Sequence, residues 1–281
     1  MEIAFLGKRR SLARRLWFST RKYWAILRVS IASNLAYVYE VVFRALSLLV
    51  IVFVLSQLWK TTFSLRSTQT LSGFSITDMI WYLVAAETFA MSAPPLSQRI
   101  DQEVRSGQLA YLLGRPCSYI LYHFAQYLGE RFVRIIMNAM VGAILALVIA
   151  GRPHFTWMGV LAWPLTLLLA VCIDFVAYFS IGLLAFWTED TRSFVLIYSR
   201  LSLVLGGVLA PIEIFPQPLR AIAQALPFSA ILYGPARTLV RFDGTAFVAL
   251  LFQQSEMIVV GSLLLGMLYL VVMRRVNING G

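Results

Sequence analysis

The feature that most constrains this chain is a series of apolar runs too long for the surface of a soluble domain. A helix crossing a hydrocarbon core of about 30 Å needs roughly 20 predominantly apolar residues. Six segments meet that need, at about 35–59, 76–97, 131–150, 157–187, 194–213 and 250–273. The third is the clearest, running from Phe132 to Ala150 and stopping at Gly151-Arg152-Pro153. The sixth is interrupted near its start by Gln253, Gln254, Ser255 and Glu256. None alternates apolar and polar residues as a β-barrel strand would. The chain is 59% hydrophobic and 13% charged, against about 45–50% and about 25% in soluble domains. Disorder and an ordinary soluble enzyme are thereby excluded. The expected fold is an all-α membrane protein. A cytoplasmic amphipathic interfacial helix in 1–34 precedes a single six-helix transmembrane domain over 35–273, and a cytoplasmic tail follows at 274–281.

Charge sets the orientation. The 24 Lys and Arg residues outnumber 13 acids, for a net charge of +11. In a soluble chain this excess would point to nucleic acid. Here it follows the positive-inside bias of membrane proteins, so no nucleic-acid partner is expected. With the N-terminus inside, the cytoplasmic segments 1–34, 98–117, 188–193 and 274–281 hold 14 Lys and Arg residues, and the opposite segments 60–75, 151–156 and 214–249 hold 6. Both termini are therefore expected in the cytoplasm. Within 8–34, Leu12, Leu16, Trp24, Leu27 and Ile31 recur at near-helical spacing among Arg and Lys, with Trp17 and Tyr23 beside them. That pattern suits a helix lying along the inner leaflet. Its basic part is too long for a signal peptide and leads into no short apolar stretch with a cleavage site. The segment is expected to stay in the mature protein.

Two connecting segments carry more structure than a link requires. The first follows Pro94-Pro95, which would kink or end the second helix. Ile100 and Val104 share one face, and Gln98, Arg99, Asp101, Glu103 and Arg105 surround them. A turn at Gly107 and a Leu-rich turn then lead to Arg115-Pro116. A plain helix–helix link runs about two to eight residues, so a loop of this length with charges of both signs points to docking on a cytoplasmic partner. The second segment runs from Pro211 to Pro235. Leu219, Ile222, Ala223 and Leu226 mark one apolar helical face about two turns long, too short to cross, and the prolines forbid one continuous helix. Such an element reads as re-entrant or interfacial.

Together these segments resemble the permease subunits of type 2 ATP-binding-cassette (ABC) exporters, in their six-span bacterial branch. The resemblance rests on Arg105-Ser106-Gly107-Gln108-Leu109-Ala110-Tyr111-Leu112-Leu113-Gly114-Arg115-Pro116. It rests equally on Pro211-Ile212-Glu213-Ile214-Phe215-Pro216, Ala225-Leu226-Pro227-Phe228 and Tyr233-Gly234-Pro235. It implies that Gln98, Arg99, Asp101, Glu103, Arg105, Gly107 and Arg115 belong to a coupling element seated on a nucleotide-binding subunit. It also implies an external re-entrant gate at Pro211, Glu213, Phe215, Pro216, Pro227 and Phe228. Such permeases work in pairs, which implies a second permease chain, identical or paralogous, and two copies of an ABC ATP-binding subunit. The implied location is the bacterial cytoplasmic (inner) membrane, among its lipids. The chain lacks the Gly-x-x-x-x-Gly-Lys-Ser/Thr phosphate loop, since its lysines are Lys8, Lys22 and Lys60 and none follows such a loop. No cofactor is expected in this chain, and ATP and Mg fall to the partner subunit.

Ionisable residues inside a bilayer are costly and are functional candidates by default. Glu87 falls near the middle of the second span, Asp174 near the middle of the fourth, Arg200 about two turns into the fifth, and Glu256 toward the outer side of the sixth. Glu40–Arg44 and Glu130–Arg134 have the spacing of same-helix ion pairs. Glu87 and Asp174 either pair structurally with Arg44, Arg200 or hydroxyls of adjacent helices, or line a pathway favouring cationic amphiphiles; a proton relay ranks third. An integral-membrane enzyme would need nucleophile, base or metal ligands clustered at one surface, whereas His123, His154, Cys117 and Cys172 are isolated, with neither metal nor disulfide spacing. A secondary transporter would often show inverted repeats, and 35–150 and 157–273 share no similarity. These two classes are the alternatives to a permease.

Overall fold

A computed structural model describes residues 20–35, 38–66, 68–188 and 190–279, the side chains of 38–42, 44, 45 and 275–279 excepted. Helix α1 covers 20–35. The helices that follow are α2 (Val38–Arg66), α3 (Ile76–Ala90), α4 (Leu96–Arg105), α5 (Gln108–Leu113), α6 (Tyr119–Ala150) and α7 (Trp157–Leu183), then α8 (Arg192–Leu205), α9 (Gln217–Ala225), α10 (Pro227–Ile231), α11 (Tyr233–Val240) and α12 (Gly244–Asn279). Among the described residues, the one extended pairing is a bridge between Leu71 and Phe74.

Local chemistry sets the boundaries. Ser75 and Asp78 form a reciprocal capping box at the start of α3, satisfying two amides that a first helical turn leaves unpaired. Ser118 and Thr156 cap α6 and α7 through side-chain oxygens. Helix α3 stops at Met91, shortly before Pro94-Pro95, and α6 stops at Gly151, whose φ of 80° favours glycine.

Four helices carry stretches long and apolar enough to cross a membrane: Leu46–Arg66, Tyr119–Ala150, Trp157–Phe186 and Gly244–Arg274. Large apolar side chains cover their outer faces, including Phe43, Val50 and Phe53 on α2, Ile144 and Val148 on α6, and Val259, Leu263 and Leu270 on α12, each more than half exposed. Hydrocarbon is the solvent that suits such a surface, because every intrahelical backbone group is already paired. The other two expected spans are shorter. Helix α3 has 15 residues and α8 has 14, which at a rise of 1.5 Å per residue gives roughly 22 Å and 21 Å. The prolines cut α3, and the Gly206-Gly207 turn cuts α8 well before residue 213. Conversely, α6 starts at Tyr119 rather than near 131.

Helix α3 lies at the centre, with every residue from Met79 to Phe89 buried, packed against α2, α6 and α11. Helix α7 is the second hub and packs on α4, α11 and α12. Two glycines permit the closest approaches toward the α4–α5 end. A Cβ at Gly182 would sit 2.8 Å from Ile100 Cβ, so α4 can press onto α7 only where that side chain is missing. A Cβ at Gly129 would sit 2.8 Å from the Leu27 carbonyl, so α1 lies directly on α6. Ser30 Oγ donates to the Gln126 carbonyl (2.9 Å), Lys22 Nζ to the Pro116 carbonyl (3.3 Å), and the Ser118 amide to Tyr23 Oη (3.0 Å). In α1, Leu27 and Ile31 are half-buried, while Trp24 is exposed under the guanidinium of Arg28. Leu12, Leu16 and Trp17 lie outside the described residues, as do the side chains of Glu40 and Arg44.

The opposite end is closed by α9–α11. Leu205, Ile212, Ala223 and Phe228 form a small core of their own there. Ile222 departs from the expected apolar face and is 52% exposed. Leu219 and Ala223, four residues apart, take the inward side of α9, and Leu226 joins them from the turn after the helix.

Candidate coupling surface and intramembrane charge site

The segment after Pro95 folds as two short helices, α4 and α5, joined at Gly107, whose φ of 72° is left-handed. The residues expected at its surface divide into two sets. Arg99 turns inward and pairs with Glu130 of α6 (2.8 Å), and Glu130 also lies 3.9 Å from Arg134. Glu103 is buried: its Oε2 accepts from Tyr119 Oη (2.6 Å) and lies 3.0 Å from His123 Nε2. Burial alone would push the Glu103 carboxyl up, but the hydrogen bond and charge of His123, with Tyr119 and Arg99, hold it below the ordinary 4.5. Ser97 Oγ donates to the Tyr178 carbonyl of α7 (2.6 Å). These contacts bolt α4 to α6 and α7. The outward set is Arg105, Gly107 and Arg115, joined by Gln102, Gln108 and Tyr111, which the sequence did not single out; all are exposed. Asp101 and Gln98 lie half-buried at the margin, with Asp101 accepting from Arg105 Nε at 3.0 Å. Arg115 stacks on the ring of Tyr111 at 5.1 Å.

His123, isolated in the sequence, is therefore engaged in the fold, and its partner lies 20 residues away on α4. The nearest sequence signal was the amphipathic placement of Tyr119 and His123 four residues apart on α6.

At the middle of the bundle, Asp174 of α7 is buried and ion-paired with Arg131 of α6. Tyr127 donates to the same carboxylate (3.1 Å), and Tyr198 of α8 donates to its other oxygen (2.7 Å). Arg131 Nη1 also donates to Tyr127, and Nη2 to the carbonyl of Phe89 (3.2 Å), with the guanidinium carbon 4.0 Å from the Phe89 ring centroid. A charge taken out of water costs several kcal/mol; the carboxylate, a carbonyl and an aromatic face offset that cost here. Asp174 is thus paired with Arg131, a cation other than the Arg200 expected for it. Arg200 itself is exposed. Glu87 is 3% exposed, and its carboxyl makes no hydrogen bond or ion pair among the described residues. A narrow cavity beside the pair is lined by Arg131, Asp174, Tyr178, Ser199 and Ser202.

The residues expected at an external gate are gathered around a second ion pair. Glu213 accepts from Tyr233 and lies 3.1 Å from Arg237 Nε. Pro211 and Phe228 are buried, Phe215 and Pro227 half-buried, and Pro216 exposed at the start of α9. Tyr82 of α3 donates to the Gly207 carbonyl at 2.5 Å, and Gln254 Nε2 donates to the carbonyls of Thr166 (3.0 Å) and Ala230 (2.9 Å), tying this cap to the central helices. Among the described residues, no three His, Cys, Asp or Glu side chains gather as metal ligands would.

No curated protein matches the chain. A family model described as "ABC-2 family transporter protein" matches residues 49–280. That match takes in α2 from residue 49 onward, the α4–α5 element, the intramembrane ion pair and the α9–α11 cap, and on it the chain belongs to the ABC-2 family of membrane transporter proteins.

Proposed function

We propose that this protein is the permease subunit of an ABC exporter in a bacterial cytoplasmic membrane. It forms half of the translocation pathway with a second permease chain and couples to two copies of a separate ATPase subunit, which bind ATP and Mg. In this arrangement α2, α3, α6, α7, α8 and α12 are the six spans, α1 lies on the inner leaflet, both termini are cytoplasmic, and α9–α11 gate the outer end.

The observation that carries this reading is the two-sided construction of α4–α5. Its inner side is fixed to α6 and α7 by Glu103, Arg99, Ser97 and Ile100. Its outer side offers Arg105, Gln108, Tyr111 and Arg115 to solvent. An element anchored on one side and exposed on the other can pass a push from a cytoplasmic ATPase into the bundle. Affinity purification of the tagged chain from mild detergent tests the proposal. A co-purifying nucleotide-binding subunit with vanadate-sensitive ATPase activity, uncoupled from transport by Arg105→Glu with Tyr111→Ala, is expected. A stable chain with no ATPase partner would overturn it.

A further inference from the structure

The outer segment 214–249 holds three basic residues, Arg220, Arg237 and Arg241. They come from α9, from α11 and from the turn after α11, yet all three line one cavity of about 320 Å³ beside α12. This cavity lies at the end of the bundle where α6 finishes, away from α4–α5: Trp81 Nε1 donates there to the Gly151 carbonyl (3.2 Å), and Arg241 Nη1 to the Ser72 carbonyl (3.4 Å).

The charges do not cancel. Glu213 neutralises Arg237. The other acid, Asp243, is occupied in capping α12, accepting from Thr245 Oγ1 (2.5 Å) and from the Ala246 amide (2.9 Å). Arg220 makes no hydrogen bond or ion pair among the described residues. Arg241 meets the Phe74 ring at 5.0 Å and a backbone carbonyl, with no carboxylate paired to it among the described residues. Gln224 and Gln253 add neutral polar groups, and Phe247 and Leu250 of α12 supply an apolar wall. The same helix presents Val248 and Phe252 outward at 49% and 72% exposure, so the wall continues into the lipid-facing surface.

Guanidinium groups with free donors fit the oxygens of a phosphate in planar, bidentate fashion, and better than an ammonium does. We infer that this cavity is a binding site for a phosphate group, held by Arg220 and Arg241, with the Arg237–Glu213 pair forming a neutral wall beside them. The phosphate belongs either to the headgroup of an amphiphile whose chain follows α12 or to a small soluble ester.

The test uses the full chain in a phosphate-free maltoside detergent, titrated separately with lysophosphatidylglycerol, glycerol 3-phosphate and uncharged monoacylglycerol. The readout is the shift of the unfolding temperature, with bound probe counted by native mass spectrometry. Saturable binding of a phosphate probe is expected. It should weaken roughly tenfold or more in R220Q/R241Q, from the loss of charge-assisted hydrogen bonds, and stay unchanged in R152Q, an exposed basic site outside the cavity. Binding of the lysolipid alone assigns the phosphate to a headgroup, whereas equal binding of glycerol 3-phosphate assigns it to a soluble ester. If R220Q/R241Q does not fold, R220Q alone carries the test, because that side chain is exposed and makes no hydrogen bond among the described residues. Equal binding by wild type and the Arg220 variants, or equal binding of the uncharged monoacylglycerol, would overturn the proposal.

Discussion

Glu103 of α4 and Asp174 of α7 dock at matching positions along one ridge of α6. Each acid takes a tyrosine and a basic residue four apart on that helix: Tyr119 with His123 for Glu103, and Tyr127 with Arg131 for Asp174. The two pairs are themselves two turns apart, so one helical face presents the same device twice. What differs is the surroundings. Glu103 closes a short helix whose next residues are exposed, and its basic partner is an imidazole. Asp174 lies in mid-helix between α6 and α8, with a partner that never loses its charge and further contacts from Tyr198 and the Phe89 carbonyl. The comparison teaches that the basic partner changes with position along α6. An imidazole serves beside a short helix whose far side is exposed, whereas at the centre of the bundle a guanidinium is wrapped by a carboxylate, a carbonyl and an aromatic face.

The largest expected effect breaks the deeper device. Asp174→Asn leaves a buried guanidinium without its counter-charge and should destabilise the protein by about 3–5 kcal/mol, while R131M/D174L, which removes both charges, should recover most of the loss. Thermal unfolding in detergent reads both; a double variant as unstable as the single would contradict an electrostatic origin. At the shallower device, Glu103→Gln should cost about 1–3 kcal/mol and change the response to acid. Because the folded carboxyl sits below its ordinary 4.5, its stabilisation is complete above that value and is lost as pH falls through the lower folded one. Unfolding curves between pH 7 and pH 3 should therefore show a smaller acid-induced decline in the variant than in the wild type. A parallel decline in both would remove Glu103 from the account. The smallest effect on stability belongs to the exposed pair one turn away. Arg105→Gln should change stability by no more than about 0.5 kcal/mol, and a larger loss would show that the outward side of α4 is also part of the bundle.

Much of this architecture was legible in the sequence, and the illegible parts share one cause. The apolar runs marked the long helices because hydrocarbon demands them, and Gly151-Arg152-Pro153 marked the end of α6. The start of α6 was missed because Tyr119, Tyr122, His123, Gln126 and Glu130 lower its hydropathy without interrupting its helical periodicity. That same stretch holds the partners of both buried acids. Arg131 looked like a boundary residue, yet it pairs across 43 positions with Asp174, a match set by the register of α6 against α7. Periodicity places a residue on a face but does not say which helix that face meets. The interior of α4 followed the same pattern: its charges were visible, and which of them turned inward depended on contacts absent from a one-dimensional reading. The lengths of α3 and α8 were overestimated because apolar residues continue past the prolines and glycines that end the helices.

Helix α6 extends without interruption for 32 residues, close to 48 Å at 1.5 Å per residue. One end carries α1, α4 and the imidazole cluster, and the other receives the side chains of Thr77 and Trp81 at its last carbonyls. Were this rod to tilt by about 5° around its middle, each end would move roughly 2 Å, in opposite directions. Arg131, twelve residues from Tyr119 at the start of the helix, lies close to that fulcrum, where the displacement would be least and a buried ion pair would stay closed while both ends moved.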